Sequence, residues 1–190
     1  MSVAVDKPKS RRGQGQSRTF QARNIEKVFD RGEKEYMLVV ELDERGNVNA
    51  ISVKVREYPI YPYSNFVDHE LRIERQGGLT VRYSTCSDSW GRPGCSISKV
   101  RFRKFREVAE KTDVFNPRRY EEIRKFGDFI DAVGNIARFV VELVKNNKGK
   151  TESYAVLEEL EDVLNGVEDI IYMLNDPLLY EEISEEIDKL

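Results

Sequence analysis

An α+β fold is predicted: a four- to five-stranded antiparallel sheet packed by a long helix, followed by a C-terminal coiled-coil-like helix. Three patterns in the 190 residues carry this expectation. Apolar residues alternate with period two between Tyr36 and Tyr83, recur at helical spacing from Ile123 to Val144, and follow a 3-4-3-4-3 spacing from Leu157 to Leu174. The chain divides accordingly into a basic arm (1–24), an α+β domain (25–148) and an acidic helical segment (149–190).

The first two dozen residues scatter Lys7, Lys9, Arg11, Arg12, Arg18 and Arg23 among Gly, Gln and Ser, too polar to fold alone. Strands begin at Tyr36, where Tyr36, Leu38, Val40 and Leu42 alternate with other side chains until the turn-forming Glu44-Arg45-Gly46-Asn47. Ile51, Val53 and Val55 continue the alternation. A second hairpin places Leu71 and Ile73 before Gly77-Gly78, and Leu79, Val81 and Tyr83 after it. Ile97 to Phe105 fits either a fifth strand or the start of a helix. Asn116-Pro117 supplies an N-cap with proline at the first helical position, and one long helix is expected from there to Asn146-Asn147-Lys148-Gly149. Beyond it, Leu157, Leu160, Leu164, Val167, Ile171 and Leu174 form an a/d seam suited to oligomerisation as a dimer or tetramer. An intramolecular hairpin with the preceding helix is the competing explanation. Asp176-Pro177 restarts a short helix.

Net charge hides a segregation. The whole chain carries 31 basic and 34 acidic residues, yet residues 151–190 hold 13 acids against Lys189 alone. Residues 1–150 therefore hold 30 basic and 21 acidic groups, about +9, beside a tail of about −12. A basic body joined to an acidic, apolar-striped tail suits a polyanion-binding protein with an assembly element, the tail competing for the basic surface. No apolar run approaches the roughly 20 residues of a membrane span. No secretory signal is visible. With two cysteines and one histidine, a zinc site or a serine-type triad starts without material, and neither cofactor nor metal is expected. The Asp68-His69-Glu70 run is the one acid/base candidate for an enzyme; a non-enzymatic function is expected. High charge with few Cys and Met fits a hyperthermophile.

Two surface segments carry the ligand expectation. Tyr58, Tyr61, Tyr63 and Phe66 surround Pro59 and Pro62, which forbid a central strand and hold the rings on an extended loop. Trp90 lies in a turn-rich loop, Ser87 to Gly94, flanked by Cys86 and Cys95, which either close the loop as a disulfide or stay thiols. Rings so placed can stack on unpaired bases. Downstream, Lys99, Arg101, Arg103 and Arg106 interleave with Val100, Phe102 and Phe105. On a strand the cations would line one face and meet phosphates, joined by Arg118 and Arg119 across a cleft.

The order of these features resembles the ThermoDBP-type single-stranded DNA-binding proteins of hyperthermophilic archaea, from about Asn24 to Leu174: aromatic loop, Trp90 loop, basic-aromatic run, Asn116-Pro117 helix, leucine seam. The resemblance implies sequence-tolerant protection of single strands by a fold other than an OB barrel, in a cytoplasmic, nucleoid-associated protein. Single-stranded DNA is the expected partner. RNA recognition by the same cleft, or a non-catalytic oligomeric scaffold, are the alternatives.

Overall fold

A computed structural model describes residues 23–58, 64–89, 92–147 and 154–190. Six strands follow one another as an antiparallel meander in the order β1-β2-β3-β4-β5-β6. They are β1 (Arg23–Asp30), β2 (Lys34–Leu42), β3 (Val48–Glu57), β4 (Ser64–Arg75), β5 (Leu79–Ser89) and β6 (Arg92–Phe102). The alternation read from Tyr36 onward is observed: Tyr36, Leu38, Val40 and Leu42 are buried while their neighbours on β2 are partly exposed. Register carries this across the sheet, with Ile25, Val40, Ile51, Ile73, Val81 and Val100 forming one buried row.

The sheet is larger than four or five strands at both edges. β1 has a mostly exposed, charged edge-strand sequence with only Ile25 buried, so its period-two signal is weak. β6 settles the ambiguous segment as strand and begins earlier, at Arg92, so Ser87–Ser89 and Arg92–Gly94 pair across the hairpin instead of forming a loop. Pro93 is tolerated because β6 is an edge strand.

Helices α1 (Arg106–Thr112), α2 (Pro117–Glu121), α3 (Phe126–Asn147), α4 (Tyr154–Met173) and α5 (Pro177–Asp188) follow. Asn116 caps α2, its side chain accepting from the Arg118 N–H at 3.1 Å. The single long helix expected from Asn116 is interrupted. Asp128 accepts the N–H groups of Arg124 and Lys125 at 2.9 Å each, which creates a second helix N-terminus and starts α3 afresh. Asp176 caps α5 through the Leu179 N–H at 3.1 Å.

The C-terminal segment is not a separate appendage. α3 and α4 together cover one face of the sheet. α3 begins beside β1 and β2, where Phe126 and Phe129 pack on Phe29 and Tyr36, and ends near β6, where Asn147 donates to the Lys104 carbonyl at 3.2 Å. α4 returns from β6 to β2, and the Tyr36 hydroxyl donates to the Met173 carbonyl at 2.6 Å inside the core. Leu164, Val167, Ile171 and Leu174, expected in an intermolecular seam, are instead buried in the chain's own core, with Val163 and Ile170 beside them. Only Leu157, 47% exposed, and the partly buried Leu160 remain toward solvent at the start of α4. α5 packs outside this pair, where Leu179 meets Gly134 and Arg138 holds Glu182 at 2.8 Å. The opposite face of the sheet carries no helix among the described residues.

Candidate nucleic-acid interface

The helix-free face is ruled by alternate residues of each strand, and its charges change character from one side to the other. On β3 and β4 the two arginines of this face are paired. Arg56 grips Asp68 through two hydrogen bonds of 2.8 and 3.0 Å, and Arg72 binds Glu41 at 3.0 Å and also Glu74. Asp68 beside it raises the Arg56 guanidinium further above its ordinary range, against the opposing cost of burial. On β5, Arg82 reaches Glu70 at 3.9 Å.

Across the last strand this pairing stops. Between Arg92 and Arg106 the chain holds Arg92, Lys99, Arg101, Arg103, Lys104 and Arg106 and no acid. None of the six makes an ion pair among the described residues. Val100 and Phe102 are buried as expected, which turns Lys99 and Arg101 outward onto the open face. They stand about 7 Å apart by strand geometry. Arg101 is also docked: its Nη2 donates to the Gly77 carbonyl at 2.5 Å, fixing it against the β4–β5 turn. Arg103 and Arg106 follow at the exit of the strand, both exposed.

The acidic helix lies along the same edge without neutralising it. Glu159 accepts the Lys99 backbone N–H at 2.9 Å and Asp162 accepts the Ser98 hydroxyl at 3.2 Å. These carboxylates satisfy edge-strand groups of β6, while the cationic side chains point elsewhere.

Of the expected stacking residues, Tyr61, Tyr63 and Trp90 lie outside the described residues. Tyr58 follows β3 and is 43% exposed. Phe66, on β4, has the Arg56 guanidinium 4.2 Å from its ring centroid. This end of the sheet is also where Cys86 and Cys95 stand directly opposite one another on β5 and β6, and they are joined as a disulfide.

Among the described residues, the side chains expected in a single cleft are therefore spread along the sheet. Phe66 and Arg75 lie nine residues apart on β4, about 30 Å by strand rise. Tyr58 and Phe66 occupy one end of the sheet, Arg103 and Arg106 the other, and Lys99 and Arg101 lie between. Arg118 and Arg119 do not face the basic run as a second wall. They are exposed on α2, where Arg119 binds Asp113 at 3.1 Å beside a concavity that also contains Asp128 and Asp131. The Asn116 amide and then Arg119 hold the Asp113 carboxyl below the ordinary carboxylate range.

At the far end, Arg103 and Arg106 border a cleft of about 870 Å³ with Arg75, Phe105 and Phe115. Arg75 and Phe115 escaped the sequence reading. They are distant in the chain and carry no local motif, and only the fold brings the end of β4 to the segment after α1.

The acid/base run is split by the strand period. Asp68 and Glu70 project onto the open face, where Glu70 also accepts the Ser52 hydroxyl at 2.5 Å. His69 turns to the helix-covered side, its Nδ1 hydrogen-bonded to the Tyr83 hydroxyl at 3.0 Å and its Nε2 lying 3.5 Å from Glu57. Burial pushes the Tyr83 hydroxyl above its ordinary pKa. The three side chains do not converge on one point. Among the described residues, no cluster of three or more His, Cys, Asp or Glu suits a metal ion, and no helix is long and apolar enough to cross a membrane. Comparison with protein families, with curated proteins and with solved structures returned no match.

Proposed function

We propose that this protein binds single-stranded DNA with little sequence preference, in the manner of the ThermoDBP-type proteins it resembles, along the β6 margin of its open sheet face. The observation that carries this reading is the contrast in ion pairing. Arg56, Arg72 and Arg82 on β3, β4 and β5 are matched by carboxylates, whereas six cations in the fifteen residues from Arg92 to Arg106 have none among the described residues. Unmatched cations in a row attract a polyanion and release its counterions on binding. Lys99, Arg101, Arg103 and Arg106 are assigned to phosphates. Tyr58 and Phe66, with Tyr61, Tyr63 and Trp90, are assigned to stacking on bases, each worth about 1–3 kcal/mol. Arg118 and Arg119 take no part in this proposal. Duplex DNA binds more weakly because its base faces are already stacked.

Copies of the chain would associate through the start of α4, where Tyr154, Val156 and Leu157 are 81%, 38% and 47% exposed. Several margins joined on one strand would raise apparent affinity. The test follows Trp90 fluorescence during titration with a poly-T oligonucleotide at two salt concentrations, with matched RNA and duplex DNA as competitors. Salt-sensitive quenching that resists duplex competition supports the reading. Preferential displacement by RNA would reassign the polymer. Absence of binding by folded, oligomeric protein would favour a scaffold.

A further inference from the structure

Resting on the single-strand reading, we infer that the cleft beside the β4–β5 turn receives the terminal phosphate monoester of a bound strand. Its volume, about 870 Å³, is that of a small-ligand site. Arg75, Arg103 and Arg106 border it, and none of the three is ion-paired among the described residues. The Arg75 guanidinium lies 4.7 Å from the Phe115 ring centroid, which orients its plane and leaves its N–H edges for an anion. Phe105 offers a second ring for the terminal base.

Charge favours a terminus over an internal phosphate in two ways. A phosphate monoester carries about −1.5 to −2 at neutral pH, more than the single charge of an internal diester, and three guanidinium groups reward the difference. Glu110 and Asp113 also line the cleft. A strand crossing the cleft would carry its next phosphate toward those carboxylates. A strand ending there places no further phosphate beside them, and base N–H groups can donate to the carboxylates. Gly77 and Gly78, both at positive φ, also line the cleft, and a Cβ at Gly78 would stand 3.2 Å from the Arg101 Nε. The last cation of β6 is thereby held against the turn that lines the cleft, which joins the margin to the cleft.

The test compares fluorescently labelled 12-mers of thymidylate carrying a 5′-phosphate, a 3′-phosphate or hydroxyls at both ends, read by anisotropy with the full-length protein. One phosphorylated end is expected to bind about tenfold more tightly than the hydroxyl-ended strand. Which one it is fixes strand polarity. Arg75→Gln should shrink that ratio to less than about twofold, with circular dichroism confirming the fold. Equal affinity for all three ends overturns this inference and leaves single-strand binding standing. No binding of any 12-mer overturns the single-strand reading and this inference with it. A preference that survives Arg75→Gln, Arg103→Gln and Arg106→Gln places the terminus elsewhere and also overturns it.

Discussion

Gly166 shows how one hydrogen atom in place of a methyl permits the fold. On the inner side of α4 it lets the Tyr83 ring approach so closely that an added Cβ would stand 2.2 Å from the ring. Tyr83 is tied in turn to His69 and to the Thr85 hydroxyl at 3.3 Å, so the ring cannot swing aside without breaking those bonds. Gly166→Ala should therefore destabilise by about 1–3 kcal/mol despite the gain in helix propensity, visible as a lower Tm. Gly127→Ala is the matching control. A Cβ there meets nothing within 4 Å, and the same substitution should stabilise by up to about 1 kcal/mol. Neither outcome is legible from the sequence, where both are helical glycines. The alternation that splits Asp68 and Glu70 from His69 is, by contrast, a consequence of strand period that the sequence contains. It goes unread when three polar neighbours are taken as a unit.

At the scale of elements, charge and capping decide where helices begin. Backbone N–H groups of Arg124 and then Lys125 hold the Asp128 carboxyl below its ordinary value of 3.8. Asp43 is lowered by the Asn47 N–H in the β2–β3 turn, and Asp113 by the Asn116 amide and Arg119. A carboxyl whose folded pKa is depressed binds fewer protons folded than unfolded, so its stabilisation is present above the unfolded pKa and is lost as pH falls through the folded one. Thermal stability should accordingly decline as the pH is taken below about 4. Asp128→Asn should lower Tm at pH 7 and weaken that acid dependence, as a Tm series in pH steps would report. The interruption after Glu121 was hidden for the same reason that makes it testable. The apolar period of Ile123 and Phe126 runs straight through it, and only the Asp128 contacts reveal the second start.

α4 carries the sharpest difference between pattern and use. Its 3-4 spacing is equally compatible with a seam between chains and with a stripe against a sheet. Val163, Leu164, Val167, Ile170, Ile171, Met173 and Leu174 are buried within the chain. At about 1.5–3 kcal/mol per fully buried side chain, their loss matches or exceeds the usual total stability of about 5–15 kcal/mol. Deleting residues 151–190 should therefore unfold the body, seen as loss of the cooperative melt, and cannot serve to measure avidity. Leu157→Glu changes only an exposed position. It should leave Tm nearly unchanged, and if copies join there it should shift the mass measured by light scattering toward the monomer.

For the whole molecule, the unpaired margin sets the salt response. Four phosphate contacts on a single strand imply a log–log slope near −3, at about −0.7 per contact. Replacing Arg103 and Arg106 by Ala together should flatten that slope by about 1.4 and weaken binding to all sequences alike. A slope unchanged in this variant would remove both residues from the interface. Body and tail meet in one ion pair among the described residues, Arg138 with Glu182, and none of the margin's cations takes part in it. Glu159 and Asp162 spend their oxygens on the β6 edge, so the tail's proximity does not by itself cancel the margin.

The sequence alone determined the α+β class, the inner face of β2 through β5, and the caps at Asn116 and Asp176. Each depends on a local period or on residues within one turn of one another. The tertiary structure alone decided the number of strands, the burial of α4, the Cys86–Cys95 bond, the separation of the aromatic end from the arginine end, and the gathering of Arg75 and Phe115 with Arg103 and Arg106. These depend on which edges and faces meet. A charged edge strand lacks the signal of a half-buried one, and an amphipathic stripe records that a face is covered without recording by what.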